Sequence, residues 1–238
     1  MLVIVGITII MFLIVLYMVY RYIISPKKRI CICMSANDAI KDYAKLSERI
    51  NRRYAKKYGY DFEMFDVTPE GRAPQWCKIQ VVNDLLSRDK YDYIFWIDAD
   101  AYFNKHDIPL EDMVSRHPDK DVIICEDNIN SGKSNTVNSG TFFVKCSPWS
   151  KAFFADVWNY EGIYRQAHFH EQTVMEQYIN QNIMDAKQHI LVKPCRTFNS
   201  IINVQIADGT LKDNFIIHLM AMKKDVRIEY MTKWLDSN

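Results

Sequence analysis

The stretch YDYIFWIDADAYF, residues 91–103, decides how the chain is read. From Tyr93 to Ile97 every residue favours a strand, and the run closes on Asp98 with a second carboxylate, Asp100, two positions on. An apolar run without polar alternation is a strand buried on both faces, as in a parallel sheet covered by helices. In extended chain, residues i and i+2 point to the same side. Two unit charges about 4 Å apart repel by about 4 kcal/mol at an effective dielectric near 20. A whole domain is stable by only about 5–15 kcal/mol, so a proton, a basic side chain or a cation must compensate. Hard divalent ions such as Mg²⁺ and Mn²⁺ take oxygen ligands, commonly one or two carboxylates together with substrate phosphates. The plain alternative is that Asp98 caps the following turn while Asp100 is solvated.

The rest of the chain supplies the frame. Its 238 residues, 49% hydrophobic and 25% charged, have the composition of a folded protein. Residues 2–20, LVIVGITIIMFLIVLYMVY, carry no charge, and a helix of that length rises roughly 28 Å, close to the roughly 30 Å of a bilayer core. The expectation is a transmembrane anchor over residues 1–24 in contact with the lipid bilayer through residues 2–20, a basic linker over 25–29, and one catalytic domain over 30–238. A net charge of +1 without a basic stripe argues against nucleic acid. The sequence NSGKS at 130–134 ends like a phosphate-binding loop, but Asp127 stands where that loop needs its first glycine. The cysteines lie mostly in apolar segments without zinc spacing and read as buried free thiols.

Along the chain, RICICM (29–34), DFEMFDV (61–67), YIFWID (93–98), DVIICED (121–127) and GTFFVK (140–145) read as strands. Residues 38–58, 74–88, 148–158 and 171–181 read as helices, from three- and four-residue apolar spacing, Pro at the start of two and Gly59 ending the first. Short apolar strands follow near ILV (190–192) and FIIHLM (215–220). Strands alternating with helices predict an α/β fold, a Rossmann-like, mostly parallel sheet flanked by helices. In such sheets ligands bind at the carboxyl ends of the strands, where Asp98 and Asp100 stand.

With its context, the chain resembles retaining glycosyltransferases of the GT-A fold, and among them the family of galactosyl-, mannosyl- and xylosyltransferases (glycosyltransferase family 34). The resemblance rests on YAKLSERINRRYAKKYGYDF (43–62), WCKIQVVNDLL (76–86) leading to the aspartate strand, NSGTFFVKCSPWSKAFFADVW (138–158), EQTVMEQYI (171–179) and IIHLMAMK (216–223), in the family's order. It implies a membrane-anchored, metal-dependent enzyme that moves a hexose or pentose from a nucleotide-diphosphate sugar to a glycan, glycoprotein or glycolipid, with retention and an α-linkage. Mn²⁺ (or Mg²⁺) would be held by Asp98, Asp100 and His218, and a UDP-sugar is favoured over GDP-mannose. Lys223 would pair with the diphosphate, with Lys78 in the same pocket. Ser35 and Asn37 would cradle the nucleotide, Asn138, Ser139 and Gly140 would lie against the donor sugar, and Glu171 and Gln172 would face the reacting carbon.

Without the resemblance, His218 reads as a core histidine, Glu171 as a first-turn helix acid, Lys78 as a solvated helix residue and Asn138-Ser139-Gly140 as a turn. Two other functions compete: a catalytically silent, membrane-tethered protein that binds nucleotide sugars, and a haloacid-dehalogenase-like phosphatase. The latter continues its DxD with Thr or Val where this chain has Tyr102. Ala221 and Met222 stand where the family has Gly and Cys. The resemblance places the protein in the Golgi or another endomembrane as a single-pass protein. Arg21, Lys27, Lys28 and Arg29 after the apolar run favour the cytosolic side, so the catalytic side stays open, as do homo- or hetero-oligomers.

Overall fold

The computed structural model describes residues 11–14, 16, 27–127, 137–167, 169–201 and 210–238. The membrane anchor is the main correction to the expected architecture. Among the described residues no helix is long and apolar enough to cross a membrane. Within the expected span only residues 11–14 and 16 are described, as helix, and four consecutive residues rise only about 6 Å. The remainder of that span, the 130–134 loop and His168 lie outside the described residues. The single-pass assignment and its bilayer contact are therefore withdrawn.

The main sheet has the strand order β2-β1-β3-β6-β5-β7, with β1 Ile30–Ser35, β2 Asp61–Phe65, β3 Tyr93–Ile97, β5 Val122–Glu126, β6 Val137–Lys145 and β7 Ile190–Lys193. Parallel pairing joins β1 to β2 and β3, and β5 to β7, whereas β6 runs antiparallel to both of its neighbours. The sheet is thus largely but not wholly parallel. Strand β4 (Ala101–Phe103) leaves it to form a small second sheet with β9 (Ile216–His218) and β8 (Ser200–Ile201).

The pleat sorts side chains into two cores. Ile30, Ile32 and Met34 of β1 and Phe95 and Ile97 of β3 face helix α1 (Lys41–Tyr58), meeting Tyr43, Ala44, Ile50 and Tyr54. Their sequence neighbours Cys31, Cys33, Ile94 and Trp96 pack on the other face with Ile79, Val82 and Leu85 of α2 (Cys77–Ser87) and Phe153 of α3 (Pro148–Asn159). This two-sided burial is why β1 and β3 lack polar alternation. All six cysteines are free.

The helix ends follow local chemistry. Gly59 closes α1 at φ 69°, its N–H bonded back to the last turn. At the start of α3 the Ser147 side chain accepts from the Ser150 N–H, and Pro148 fills the first helical position. Helix α4 (Glu171–Gln181) begins at the site, and α5 (Lys224–Ser237) packs along α1.

Candidate functional site

Backbone pairing alone brings three of the expected residues together. Asp98 follows the last residue of β3, and its N–H donates to the Gly140 carbonyl at 2.8 Å. That bond sets the first residues of β6 against the aspartate loop. Asn138, Ser139 and Gly140 therefore belong to a strand and not to a turn. Three residues on, Ala101 pairs in register with His218 of β9, and the Leu219 N–H donates to the Asp100 carbonyl at 2.9 Å. Asp98, Asp100 and His218 thereby each present one ligand atom, all within 4.8 Å of one another.

The orientation of His218 follows from a chain of hydrogen bonds. Asn138 Oδ1 accepts from the Gly140 N–H at 2.9 Å and from Asn199 Nδ2 at 2.8 Å, which leaves Asn199 Oδ1 to accept from His218 Nδ1 at 2.9 Å. Because a backbone N–H anchors this chain, Nδ1 carries the proton. Nε2 is turned toward Asp100 at 3.2 Å. Burial opposes the charge on His218, but Asp100 and Asp98 outweigh it and hold its pKa above the ordinary value. A Cβ at Gly140 would stand 2.2 Å from His218 Cε1, so only glycine leaves room for the ring.

A second cluster adjoins the first. Lys78, 5% exposed and so not a solvated helix residue, places Nζ 3.1 Å from Asp98 Oδ1, 3.3 Å from Glu171 Oε1 and 3.1 Å from the Ser139 carbonyl. Burial alone would lower its pKa, yet Asp98 and Glu171 raise it, keeping the ammonium charged. Glu171 is 2% exposed and also accepts from Ser139 Oγ at 3.0 Å. Burial raises its pKa and Lys78 only partly offsets this, while its Oε2 is buried without a hydrogen-bond partner. Gln172 Oε1 accepts from the Ser139 N–H at 3.0 Å. Trp96 Nε1 donates to Asp98 Oδ1 at 2.7 Å.

These groups line one open cavity of about 280 Å³. It continues through Gln75, Lys78, Asp98 and Asp100 into a second, of about 420 Å³, bounded by Ser35, Asn37, Tyr43 and Trp96. Eleven of the twelve expected site residues therefore line one continuous cleft at the carboxyl ends of β1 and β3. Lys223 is exposed and borders neither cavity. Arg227, one turn into α5 and not anticipated, pairs with Asp100 at 2.7 Å and donates to the Leu219 carbonyl and to Tyr43 Oη, each at 3.2 Å. Asn199 was missed as well. Nothing in RTFNSII marks it, whereas Arg227 lies one helical turn beyond Lys223, a spacing that could have flagged it.

With carboxylates, an imidazole and cations converging at strand ends, the chain is a mixed α/β protein with one polar, charge-lined cleft. It belongs to the nucleotide-diphospho-sugar transferase family, which it matches over residues 44–231. The chain is 22% identical over 201 residues to an α-1,2-galactosyltransferase of Schizosaccharomyces pombe, covering 69% of this chain and 52% of that protein. It thus spans about half the length of that curated relative. Among solved structures it is similar to a glycosyltransferase involved in glycosylation of the major capsid of PBCV-1, with a TM-score of 0.70 and 16% identity over 86% of this chain and 99% of that one. It is also similar to the glycosyltransferase GlyE of Streptococcus pneumoniae TIGR4, with a TM-score of 0.57 and 11% identity over 89% and 64%.

Proposed function

We propose that the chain is a metal-dependent, retaining glycosyltransferase that moves a hexose or pentose from a nucleotide-diphosphate sugar, a UDP-sugar in preference to GDP-mannose, to a glycan, glycoprotein or glycolipid acceptor, forming an α-linkage. The observation that carries this reading is the convergence of Asp98, Asp100 and His218 beside a buried Lys78–Glu171 pair in one cleft. The donor set fits a divalent ion. Two carboxylates and an imidazole whose Nδ1 is committed to Asn199 leave oxygens and Nε2 as ligands, a mixed set suited to Mn²⁺. When bound, such an ion supplies Lewis-acid neutralisation of the leaving diphosphate.

The chain's own residues do the remaining work. Lys78 and Arg227 set fixed positive charge where the diphosphate would lie, with Lys223 as an outer cation at the start of α5. Ser35 and Asn37 bound the part of the cleft suited to the nucleotide. Asn138, Ser139 and Gly140 present the start of β6 to the donor sugar, and Glu171 and Gln172 border the same space. Glu171 is restrained by Lys78 and Ser139, which supports same-face attack over a covalent glycosyl-enzyme. In that step the acceptor hydroxyl bonds to the anomeric carbon as the carbon–phosphate oxygen bond breaks, and its proton passes to the departing phosphate oxygen.

The test is a screen of UDP- and GDP-sugars for nucleotide release by the full chain, with and without Mn²⁺. Metal-dependent release from one donor, lost in Asp100→Asn, supports the reading. A folded protein that binds Mn²⁺ yet turns over no donor, with or without acceptors, returns the weight to a silent nucleotide-sugar-binding protein.

A further inference from the structure

A third cavity, of about 350 Å³, shares His170 with the cavity that holds Glu171 and shares no residue with the one that holds Ser35. This cavity thus adjoins the reacting centre at His170, while its Ala73 and Trp76 alternate along one short turn with Pro74, Gln75 and Cys77 of the nucleotide part. Its walls include Arg72, Trp76, Arg165, Gln166 and His170, and no acidic side chain lines it among the described residues.

Arg72 is built in unusually. Its guanidinium carbon sits 4.7 Å from the Trp76 ring and 4.4 Å from the Trp158 ring, and those rings meet edge to face at 6.3 Å. Stacking on aromatic faces holds the plane and leaves the in-plane N–H fork for other partners. No carboxylate pairs with Arg72 among the described residues, and its Nη1 is buried without a hydrogen-bond partner. A buried donor left unmade is costly, and a second cation makes matters worse: burial first, then Arg165, lowers the pKa of Arg72. Arg165 itself is joined to Glu161 across one turn. Glu161 partly opposes that lowering but is paired with Arg165, so Nη1 of Arg72 still lacks an acceptor, and a planar carboxylate or phosphate matches the guanidinium fork.

We infer that this cavity is an acceptor subsite that recognises an acidic substituent, a carboxylate or a phosphate, on the glycan to be extended, with Arg72 and Arg165 as its specificity-determining residues. The inference rests on the transferase reading, since it is the junction with the reacting centre at His170 that makes the bound anion part of an acceptor. Gln166, exposed at the rim, offers hydrogen bonds to neighbouring hydroxyls. The uncharged counterpart of such an acceptor leaves the buried Nη1 of Arg72 without a partner, so discrimination comes from the unpaired donor as much as from the new contact.

The test uses the full chain and two probe pairs that differ in charge: methyl glucoside against methyl glucuronide, and glucose against glucose 6-phosphate. Binding is followed by tryptophan emission, because Trp76 and Trp158 flank Arg72. At least one acidic probe should bind about tenfold or more tightly than its neutral counterpart, with the advantage shrinking as salt is added; which one does so identifies the anion. Arg165→Gln, on the short turn Ile163–Gln166 and half-buried, should abolish the advantage without unfolding, and Arg72→Gln should do the same if circular dichroism shows it folded. UDP affinity, measured by calorimetry on the same preparations, reports the donor pocket separately. Intact UDP binding with no preference for either acidic probe, or a preference that survives Arg165→Gln, overturns the acidic-acceptor inference and leaves the donor reading standing. Absent UDP binding with the anion preference intact sinks the donor reading, and with it the acceptor role of the cavity.

Discussion

Replacing Gly140 by alanine probes the packing that aims the candidate metal ligand. The added Cβ would stand 2.2 Å from His218 Cε1, 2.7 Å from Nδ1 and 2.9 Å from Asn138 Oδ1, whereas ordinary contact begins at 3.4 Å. The ring must retreat by 1.2 Å, the difference between 3.4 and 2.2. It cannot do so and keep the 2.9 Å bond from Nδ1 to Asn199. Overpacking costs about 1–3 kcal/mol and the broken hydrogen bond about 1 kcal/mol, so the variant should lose about 2–4 kcal/mol. For a domain of this size that lowers Tm by roughly 4–16 °C. Moving a ligand off its position should weaken Mn²⁺ binding by about tenfold or more. Scanning calorimetry and a Mn²⁺ titration followed by electron paramagnetic resonance read the two effects. Wild-type Tm together with wild-type Mn²⁺ affinity in Gly140→Ala would refute the account of how β6 and β9 position His218.

Three other outcomes are expected. Lys78→Met leaves Asp98 and the buried Glu171 without their shared cation and should cost about 3–5 kcal/mol in urea unfolding; adding Glu171→Gln should restore part of that loss, and no restoration would mean that the pair is not coupled. The pKa of Glu171 is raised above its ordinary value of 4.5, so the folded state holds that proton more tightly than the unfolded chain. The stability this contributes is complete below pH 4.5 and is lost as pH rises through the raised value. The advantage of Glu171→Gln over wild type should therefore grow with pH over that window, and a flat difference would contradict the burial argument. Ala221 adopts φ 59°, a left-handed conformation that costs a side chain about 1–2 kcal/mol. Ala221→Gly should accordingly raise Tm by a few degrees, about 2–4 °C per kcal/mol, and a lowered Tm would show that the loop is not strained.

Some of this was legible in the residues and some was not, for identifiable reasons. Strands β1 and β3 declare themselves because both faces are buried, and Asp98 and Asp100 interrupt that apolarity at the strand end where a ligand cleft belongs. Glu171 and Lys78 were legible only through family likeness, since a first-turn acid and a helical lysine are ordinary features on their own. The antiparallel course of β6 was not legible. A strand whose first eight residues are all buried carries no directional mark, and its first residues, Asn138-Ser139-Gly140, are turn formers. Arg227 was hidden because α5 is a weakly sided helix in which only Met231 is fully buried. Gly140, expected against the donor sugar, lines the cavity and in addition makes room for the His218 ring, a packing role that carries no mark in the sequence.

The most direct test of the central claim is time-resolved proton NMR of the anomeric signals while the Mn²⁺-loaded chain turns over its preferred α-linked UDP-sugar in water. A retaining transferase releases the α-anomer first, with the β-anomer rising only by mutarotation, and Asp100→Asn abolishes both. Initial release of the β-anomer would contradict retention, and donor turnover that persists undiminished in Asp100→Asn would contradict the assignment of the Asp98–Asp100–His218 cluster.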